Sequence, residues 1–462
     1  RTPLIARPFH MTNLMLATVA ALLVFGLARA LSISTLGAAA AGLLFTLHPI
    51  HTDAVASIIG RAELLAAIGV LGALIIHIRG YPGGLGSRAV AAGAFALAML
   101  SKENAAVLLG LLLLYDFSLG KRRPREALYS LLPYLALLFA WAALALAQEG
   151  DLAAIPAVDN HLAQLSTPWR MAMAAEVLWR YLWLTLVPVG LLPERSYATV
   201  VPNAPVAVLA ALAWAVTVAL VWRRRQQTPL LVFCALWFPL AFAATSNVIF
   251  AIGTNMAERL AFLPSVGPCL LAAMALASIA KRGRRGMAAA ILLVFVAITL
   301  LVPAYRTRAS AWAANEHYHR RSTELSPNSA KAWYNLGMVQ VRKEQPRLAL
   351  RAFTRSAEIM PDFDMAVWWR AALLIGIKQQ DAAEAVYRDY LRLRPADAGM
   401  TSHLVTLLLK DKRLEEALVF AQRMAEVEPD HKYYAETVQR IKDKLEQRAA
   451  EAGLAEAPPT SP

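Results

Sequence analysis

The apolar residues of this chain fall in long, separated runs. They occupy 11–30, 33–48, 62–78, 88–101, 104–118, 127–147, 206–222, 229–246, 260–280 and 287–304, divided by short polar breaks. A helix needs about 20 mostly apolar residues to cross a hydrocarbon core. The runs therefore predict an all-α, polytopic membrane domain over 1–305, with about ten spans. A further run at 172–190 carries Trp179, Arg180, Trp183 and Pro188, with Pro193 just beyond it. Tryptophans collect at headgroup depth, so this run reads as an interfacial or re-entrant helix.

After residue 305 the pattern changes from long apolar runs to a repeat. Pro327, Pro361, Pro395 and Pro429 recur every 34 residues, and Ala349, Ala383 and Ala417 keep the same interval. A 34-residue period with small residues where paired helices meet, and proline in the turn before the next helix, is the signature of the tetratricopeptide repeat (TPR). The first unit reads Trp333, Leu336, Gly337, Ala349, Phe353 and Pro361. Three repeats cover about 330–429. A helix at 306–326 precedes them and a charged helix near 431–450 caps the array. The second domain, 306–450, is thus an α-solenoid, and the tail 451–462, ending in APPTSP, reads as disordered.

Charge adds a direction to this layout. The net charge is +14, and most of the excess lies before residue 306, in clusters between apolar runs. The clusters are Arg79 with Arg88, Lys121 to Arg125, Arg223 to Arg225, and Lys281 to Arg285. Basic loops stay in the cytoplasm, so these clusters read as topology signals and not as a nucleic-acid surface. The loops 48–55, 101–104, 148–168 and 246–259, and everything after 304, then face outward. The same parity makes 172–190 begin and end outside. It also puts residue 1 outside with no signal-peptide pattern, which predicts a transmembrane helix upstream of Arg1.

Composition fits a membrane protein, at 58% hydrophobic residues and a mean hydropathy of +0.46. The Ala-rich style points to a bacterium and its plasma (inner) membrane. Cys234 and Cys269 both lie inside apolar runs and read as packing residues. No metal-ligand spacing, Walker loop, GxSxG, HExxH or strand-linked GxGxxG is present, so no metal, cofactor or soluble catalytic domain is expected.

The remaining chemistry lies on the outward face. Ionisable residues bordering membrane spans are costly and point to function. HPIHTDAVASIIGRAELL at 48–65 offers His48, His51, Asp53, Arg61 and Glu63. His51 and Asp53 suit proton transfer or hydroxyl binding, and Arg61 suits a phosphate. Lys102 and Glu103 lie between two apolar runs, where a local ion pair is the plainer reading. Glu258 and Arg259 open the run at 260–280 after the polar stretch SNVIFAIGTN. Asp159 and Asn160 sit in the long outer loop, where such a pair is usually a turn.

The linked motifs HPIHTDAVASIIGRAELLA, LSKENAAVLLGLLLLYDF, VDNHLAQLSTPWR and NMAERLAFLPSVGPCLL, followed by NSAKAWYNLG, resemble the transmembrane and tetratricopeptide repeat-containing (TMTC) family in order and wording. PFHMTNLMLA at 8–17 resembles the opening of that family's second span. The resemblance covers nearly the whole chain. It implies a GT-C-like membrane fold and transfer of mannose from a polyprenyl-phosphate carrier to Ser or Thr of translocated proteins. The family's HPxHTE motif falls on His48, His51 and Asp53, with Asp replacing Glu. Its R-x-[ED] step falls on Arg61 and Glu63, its SKE element on Lys102 and Glu103, and its AER-LPS element on Glu258, Arg259, Pro264 and Ser265. The DNP motif has become Asp159-Asn160-His161, and DYS has become ERS at 194–196. GT-C enzymes carry their catalytic acid on the first outer loop, so the resemblance puts that residue upstream of Arg1 and leaves the catalytic group unnamed. Arg61, Lys102, Glu103, Glu258 and Arg259 then become the candidates for holding the carrier phosphate. The partners would be the lipid-linked sugar, an acceptor protein or peptide in the TPR groove, and the bilayer, with no nucleic acid. Two other readings compete: a non-enzymatic envelope scaffold, and a ligase or polymerase of lipid-linked glycans. A pure anchor needs one span, not ten, and leaves charges gathered on one face unexplained.

Overall fold

The computed structural model describes residues 6–80, 84–120, 122–148, 155–191, 203–310, 312 and 315–455. The ERS element at 194–196 and the end of the tail, 456–462, lie outside the described residues. The chain divides into two compact units, 1–326 and 327–462. Among the described residues both are helical throughout.

The first unit runs α1 (Ala6–Ala30), α2 (Thr35–Leu47), α3 (Thr52–Ala56), α4 (Arg61–Arg79), α5 (Leu85–Ser101), α6 (Val107–Ser118), α7 (Pro124–Gln148), α8 (Thr167–Leu186), α9 (Ala204–Arg223), α10 (Pro229–Phe242), α11 (Val266–Ala280), α12 (Arg284–Ser310) and α13 (Asn315–Leu325). Among the described residues, five segments are long and apolar enough to cross a bilayer: Pro8–Ala30, Ile58–Arg79, Pro124–Ala147, Ala204–Arg223 and Arg284–Ser310. The apolar helices α2, α5, α10 and α11 are shorter. The protein is a multi-pass membrane protein.

Two kinds of surface follow from this order. Phe45, Leu71, Phe95, Leu111, Phe233, Trp237 and Leu270 are buried together where α2, α4, α5, α6, α10 and α11 meet. By contrast α9 and α12 turn Leu209, Leu212, Leu220, Ile291, Phe295 and Leu300 outward, as a lipid-facing surface requires. Lipid tails are as apolar as leucine, so close van der Waals contact must hold such helices together. Gly69 serves this on α4, where an added Cβ would come within 2.6 Å of Ala94 O and the Ala98 methyl of α5. α8 covers 172–186 of the run expected to be interfacial or re-entrant, and the chain leaves the helix at Val187. It packs on α9, with the Trp179 and Trp214 ring centroids 4.5 Å apart.

The boundary at 326 keeps α13 and the end of α12 with the membrane unit. Arg308 of α12 is 8% exposed and is held by Glu258 within that unit.

The second unit is a run of paired helices: α14 (Ala330–Arg342) with α15 (Pro346–Ile359), α16 (Asp364–Gly376) with α17 (Gln380–Leu393), α18 (Ala398–Lys410) with α19 (Leu414–Val427), then α20 (Lys432–Ala455). α20 includes 451–455, which the sequence reading placed in the tail. Ala349, Ala383 and Ala417 are all fully buried, which lets each second helix lie close on the first. A further device repeats every 34 residues and is invisible in the sequence. Glu344, Lys378 and Lys412 adopt positive φ of 57°, 65° and 61°. The following amides of Gln345, Gln379 and Arg413 reach back to the carbonyls of Gln340, Leu374 and Leu408 at 2.9, 2.9 and 3.0 Å. These bonds close the first helix of each pair as a Schellman motif does, with a charged residue where glycine is usual.

The left-handed conformation costs a residue with a Cβ about 1–2 kcal/mol, and a β-branched residue more. In the full chain, Lys378→Val should lower the thermal stability of the repeat unit by about 1–2 kcal/mol, whereas Lys378→Gly should raise it by less than about 1 kcal/mol. Thermal unfolding followed by circular dichroism checks both signs.

Candidate functional site

The polar residues at one end of the membrane helices are gathered by a compact knot between α2 and α4. His48 caps a short helical turn at Pro49–His51, and α3 follows at once. α4 then starts so close to α3 that a Cβ on Gly60 would lie 2.0 Å from Ala54 O. Only glycine permits that approach. The chain can thus bring His51, Asp53, Arg61 and Glu63 to one membrane face.

The two histidines are locked. His48 Nε2 lies 2.8 Å from Thr185 O, and its Nδ1 accepts from Ile50 N at 3.2 Å. His51 Nδ1 lies 2.6 Å from Phe45 O, and its Nε2 lies 2.8 Å from Ser265 Oγ. Burial pushes the His48 imidazole down to about 4. Burial, and secondly the charge that His48 would carry, hold His51 well below the usual imidazole range. Both rings are therefore neutral. His48 carries its proton on Nε2, facing Thr185 O. His51 carries its proton on Nδ1, facing Phe45 O, and its Nε2 lies beside the Ser265 hydroxyl, whose single proton it shares with Phe262 O. Every ring nitrogen is in use. His51, which with Asp53 looked suited to proton transfer, here joins His48 in tying α2 to α8 and to the start of α11.

The carboxylates are equally engaged. Asp53, 5% exposed, accepts from Arg259 N at 3.0 Å and lies 3.6 Å from the Arg259 guanidinium. Glu258 is 2% exposed and accepts from Arg308 at 2.8 Å. Glu63 is buried between Lys102 and Asn104, whose amide donates at 2.7 Å. Lys102 thus pairs across helices with Glu63 and not with its neighbour Glu103. Glu103 is exposed and makes no hydrogen bond or ion pair among the described residues.

The guanidinium groups are less committed. Arg61 donates to Asn13 Oδ1 at 3.2 Å and to Phe9 O at 3.4 Å, and lies 5.3 Å above the Phe9 ring. Among the described residues it has no carboxylate partner. The Arg259 side chain is 28% exposed and has only the loose contact with Asp53. A guanidinium held in place by neutral groups, or by one distant carboxylate, keeps donors for an anion.

Sequence reasoning missed several supports. Asn13 is fully buried and donates to Val55 O and Ser57 O, so it fixes the loop that leads to Arg61. Arg308 ends an apolar helix, where an arginine is indistinguishable from an ordinary flanking charge. Tyr181 Oη accepts from Ala257 N at 2.7 Å and donates to Ala257 O at 2.9 Å, which holds the backbone leading into Glu258 and Arg259. Asn160 donates to Asn247 Oδ1 and Ile252 O at 2.7 and 2.6 Å, and Asn255 N donates to Asp159 O at 3.3 Å. The Asp159-Asn160 turn is therefore a clasp that holds the loop before Glu258.

No family model matches this chain. Curated relatives do match. It is 27% identical over 354 residues to protein O-mannosyl-transferase F38B6.6 of Caenorhabditis elegans, covering 72% of this chain and 47% of the relative. It is 25% identical over 391 residues to human protein O-mannosyl-transferase TMTC3, covering 77% of this chain and 42% of the relative. It is 26% identical over 456 residues to the Drosophila melanogaster protein O-mannosyl-transferase Tmtc3, covering 82% and 48%. The resemblance read from the motifs is thus shared by curated homologues of the TMTC family over most of the chain. The chain spans about half the length of these relatives. They are animal proteins and give no support to the bacterial origin expected from composition.

The buried histidines set a pH limit on the knot. An imidazole whose folded pKa is lowered contributes stability above its unfolded pKa of about 6.5, and loses it as pH falls through the folded value. For His48 the window runs from about 6.5 down to about 4. At pH 5 the loss should be on the order of 2 kcal/mol. The detergent-solubilised protein should melt lower at pH 5 than at pH 7, and His48→Gln should reduce that dependence, with His51 carrying the remainder. A melting temperature that is equally pH-sensitive in the variant would disprove the assignment.

Proposed function

We propose that this chain is the membrane part, with attached repeats, of a protein O-mannosyl-transferase. It would take a sugar, mannose by analogy with its relatives, from a polyprenyl phosphate and pass it to Ser or Thr of an acceptor protein on the extracytoplasmic side. One observation carries the reading: at a membrane face crowded with carboxylates, Arg61 has no carboxylate partner among the described residues and Arg259 has only a loose one. A polyprenyl phosphate places its phosphate at that depth with its tail in the lipid. Negative charge grows on the leaving phosphate during transfer, so donors aimed there stabilise the transition state more than the ground state.

In this reading the remaining residues divide by their contacts. Arg61 and Arg259 face the carrier phosphate. Asp53 orients Arg259 through both its amide and its guanidinium. Glu258 and Arg308 fix the loop behind it, and Glu63 holds Lys102 at the start of α4. His48 and His51 are structural. Asp53, Glu63 and Glu258 are all neutralised by cations, so none is suited to deprotonate an acceptor hydroxyl.

Arg259→Ala should fold and insert, because the Asp53 carboxylate keeps the backbone amide of residue 259. It should lose about 2–4 kcal/mol of transition-state stabilisation, roughly 30- to 1,000-fold in transfer rate. Arg259→Lys should recover only part, because an ammonium cannot form two parallel bonds to a phosphate. A transfer assay with a polyprenyl-phosphate mannose donor, beside a melting curve, checks this. Lowered stability with near-normal transfer would make Arg259 structural.

The repeats should lie on the extracytoplasmic side. Arg347 and Gln226 are both exposed, while the native Cys234 and Cys269 are 0% and 5% exposed and should not react. Arg347→Cys should be labelled by a membrane-impermeant thiol reagent in intact cells or spheroplasts, and Gln226→Cys should not. The reverse pattern would overturn this topology.

A further inference from the structure

The opposite end of α4 carries a second polar site that the transfer reading does not use. His77 follows Arg61 by 16 residues on one helix, roughly 24 Å along its axis at 1.5 Å per residue, so it lies near the other membrane face. Here α4, α5, α7 and the segment at Arg122 enclose a cavity of about 310 Å³. Its polar lining includes His77, Arg88, Arg122, Ser130 and Tyr134.

Charge in this cavity is arranged in two layers. Asp116 is fully buried and does not line it. Arg122 Nη1 donates to Asp116 Oδ2 at 3.1 Å and lies 2.8 Å from His77 Nε2, which is itself 3.0 Å from Asp116 Oδ1. The carboxylate thus stands behind the cavity wall and fixes the cation in front of it. Arg88 is exposed at the rim, and its side chain makes no hydrogen bond or ion pair among the described residues. Tyr134 is the independent pointer to a ligand. Its side chain is only 3% exposed, yet its hydroxyl has no hydrogen-bond partner among the described residues and the residue lines the cavity. The hydroxyl oxygen opens to the cavity, so its proton is available to an acceptor bound there. The rim is apolar beside these groups: Leu85 is 87% exposed and Tyr129 69%. An anion with a hydrocarbon tail fits both features.

We propose that this cavity binds the phosphate group of an anionic lipid from the leaflet opposite the candidate transfer site. Arg88 and Arg122 meet the phosphate charge, Tyr134 donates to a phosphate oxygen, and the tail leaves past Leu85 and Tyr129. The inference is independent of the sugar-transfer reading, and its test needs no transfer activity. The full chain in detergent, with lipid removed, is titrated with phosphatidic acid, phosphatidylcholine and inorganic phosphate, and bound species are counted by native mass spectrometry. Wild type should prefer phosphatidic acid to phosphatidylcholine. Arg88→Gln, at an exposed position, and Tyr134→Phe, which removes one oxygen, should each weaken phosphatidic acid binding by about tenfold without lowering the melting temperature. Inorganic phosphate that fails to compete supports a lipid headgroup as the source. Inorganic phosphate that binds in a variant-dependent way supports the same phosphate site with a soluble ester as its ligand. Equal phosphatidic acid binding by wild type and both variants, or no preference over phosphatidylcholine, overturns the proposal.

Discussion

A carboxylate at the edge of a hydrocarbon core must find its cation inside the protein, because lipid tails supply none. The membrane unit is built around that constraint. Asp53, Glu63, Glu258 and Asp116 are at most 5% exposed, and each is met by a cation from another part of the chain. Taking one partner away from a pair buried on both sides, such as Glu258–Arg308, strands the other, at a cost of about 3–5 kcal/mol. The pairs are weak evidence for net stability, yet they fix which helix ends meet. Asp53 and Arg259 are 206 residues apart in sequence, and their contact joins α3 to the turn before α11. Glu258 and Arg308 attach the end of α12 to the same turn.

The same accounting separates residues that hold the fold from residues that can act. His48 and His51 look like catalytic groups in the sequence because two histidines and an aspartate in six residues is unusual. Their ring nitrogens all have protein partners, so they are spent on structure. The guanidinium groups of Arg61 and Arg259 carry more donors than their partners use. The functional reading therefore rests on the cations left over, not on the motif's most conspicuous members.

Much of the architecture was legible because it rests on local pattern. The apolar runs are long, the basic clusters alternate with polar ones, and the 34-residue interval appears in two independent residue series. The pairings were not legible, for three different reasons. Lys102 pairs with Glu63 on another helix and not with the adjacent Glu103, and sequence adjacency cannot say which way a side chain turns at a helix end. Arg308 follows an apolar run, where a basic residue is expected on topological grounds alone. The positive φ at Glu344, Lys378 and Lys412 falls on residues that no turn rule marks, because a packed repeat can impose a conformation that glycine would adopt more readily. Asn13, Asn104 and Asn160 were visible only as letters in motifs. Their value lies in donating and accepting at once, which lets a buried loop close without adding charge.

α4 connects the two ends of the unit. At one end Arg61 is held by neutral groups and Glu63 by a lysine. At the other, His77 sits between Asp116 and Arg122. Between them Gly69 lets α5 approach to van der Waals contact, so the helix is clamped at its middle and polar at both ends. A helix fixed in this way has little freedom to slide along its axis, because a shift that loosens one polar end loads the other. Arg61 and His77 are thereby held roughly 24 Å apart along α4, somewhat less than the thickness of a hydrocarbon core. Two phosphate-binding ends at that spacing would each meet a lipid headgroup in its own leaflet. The stretch of α4 between them is apolar and mostly buried against α1 and α5, so it holds the two ends apart without a polar group of its own.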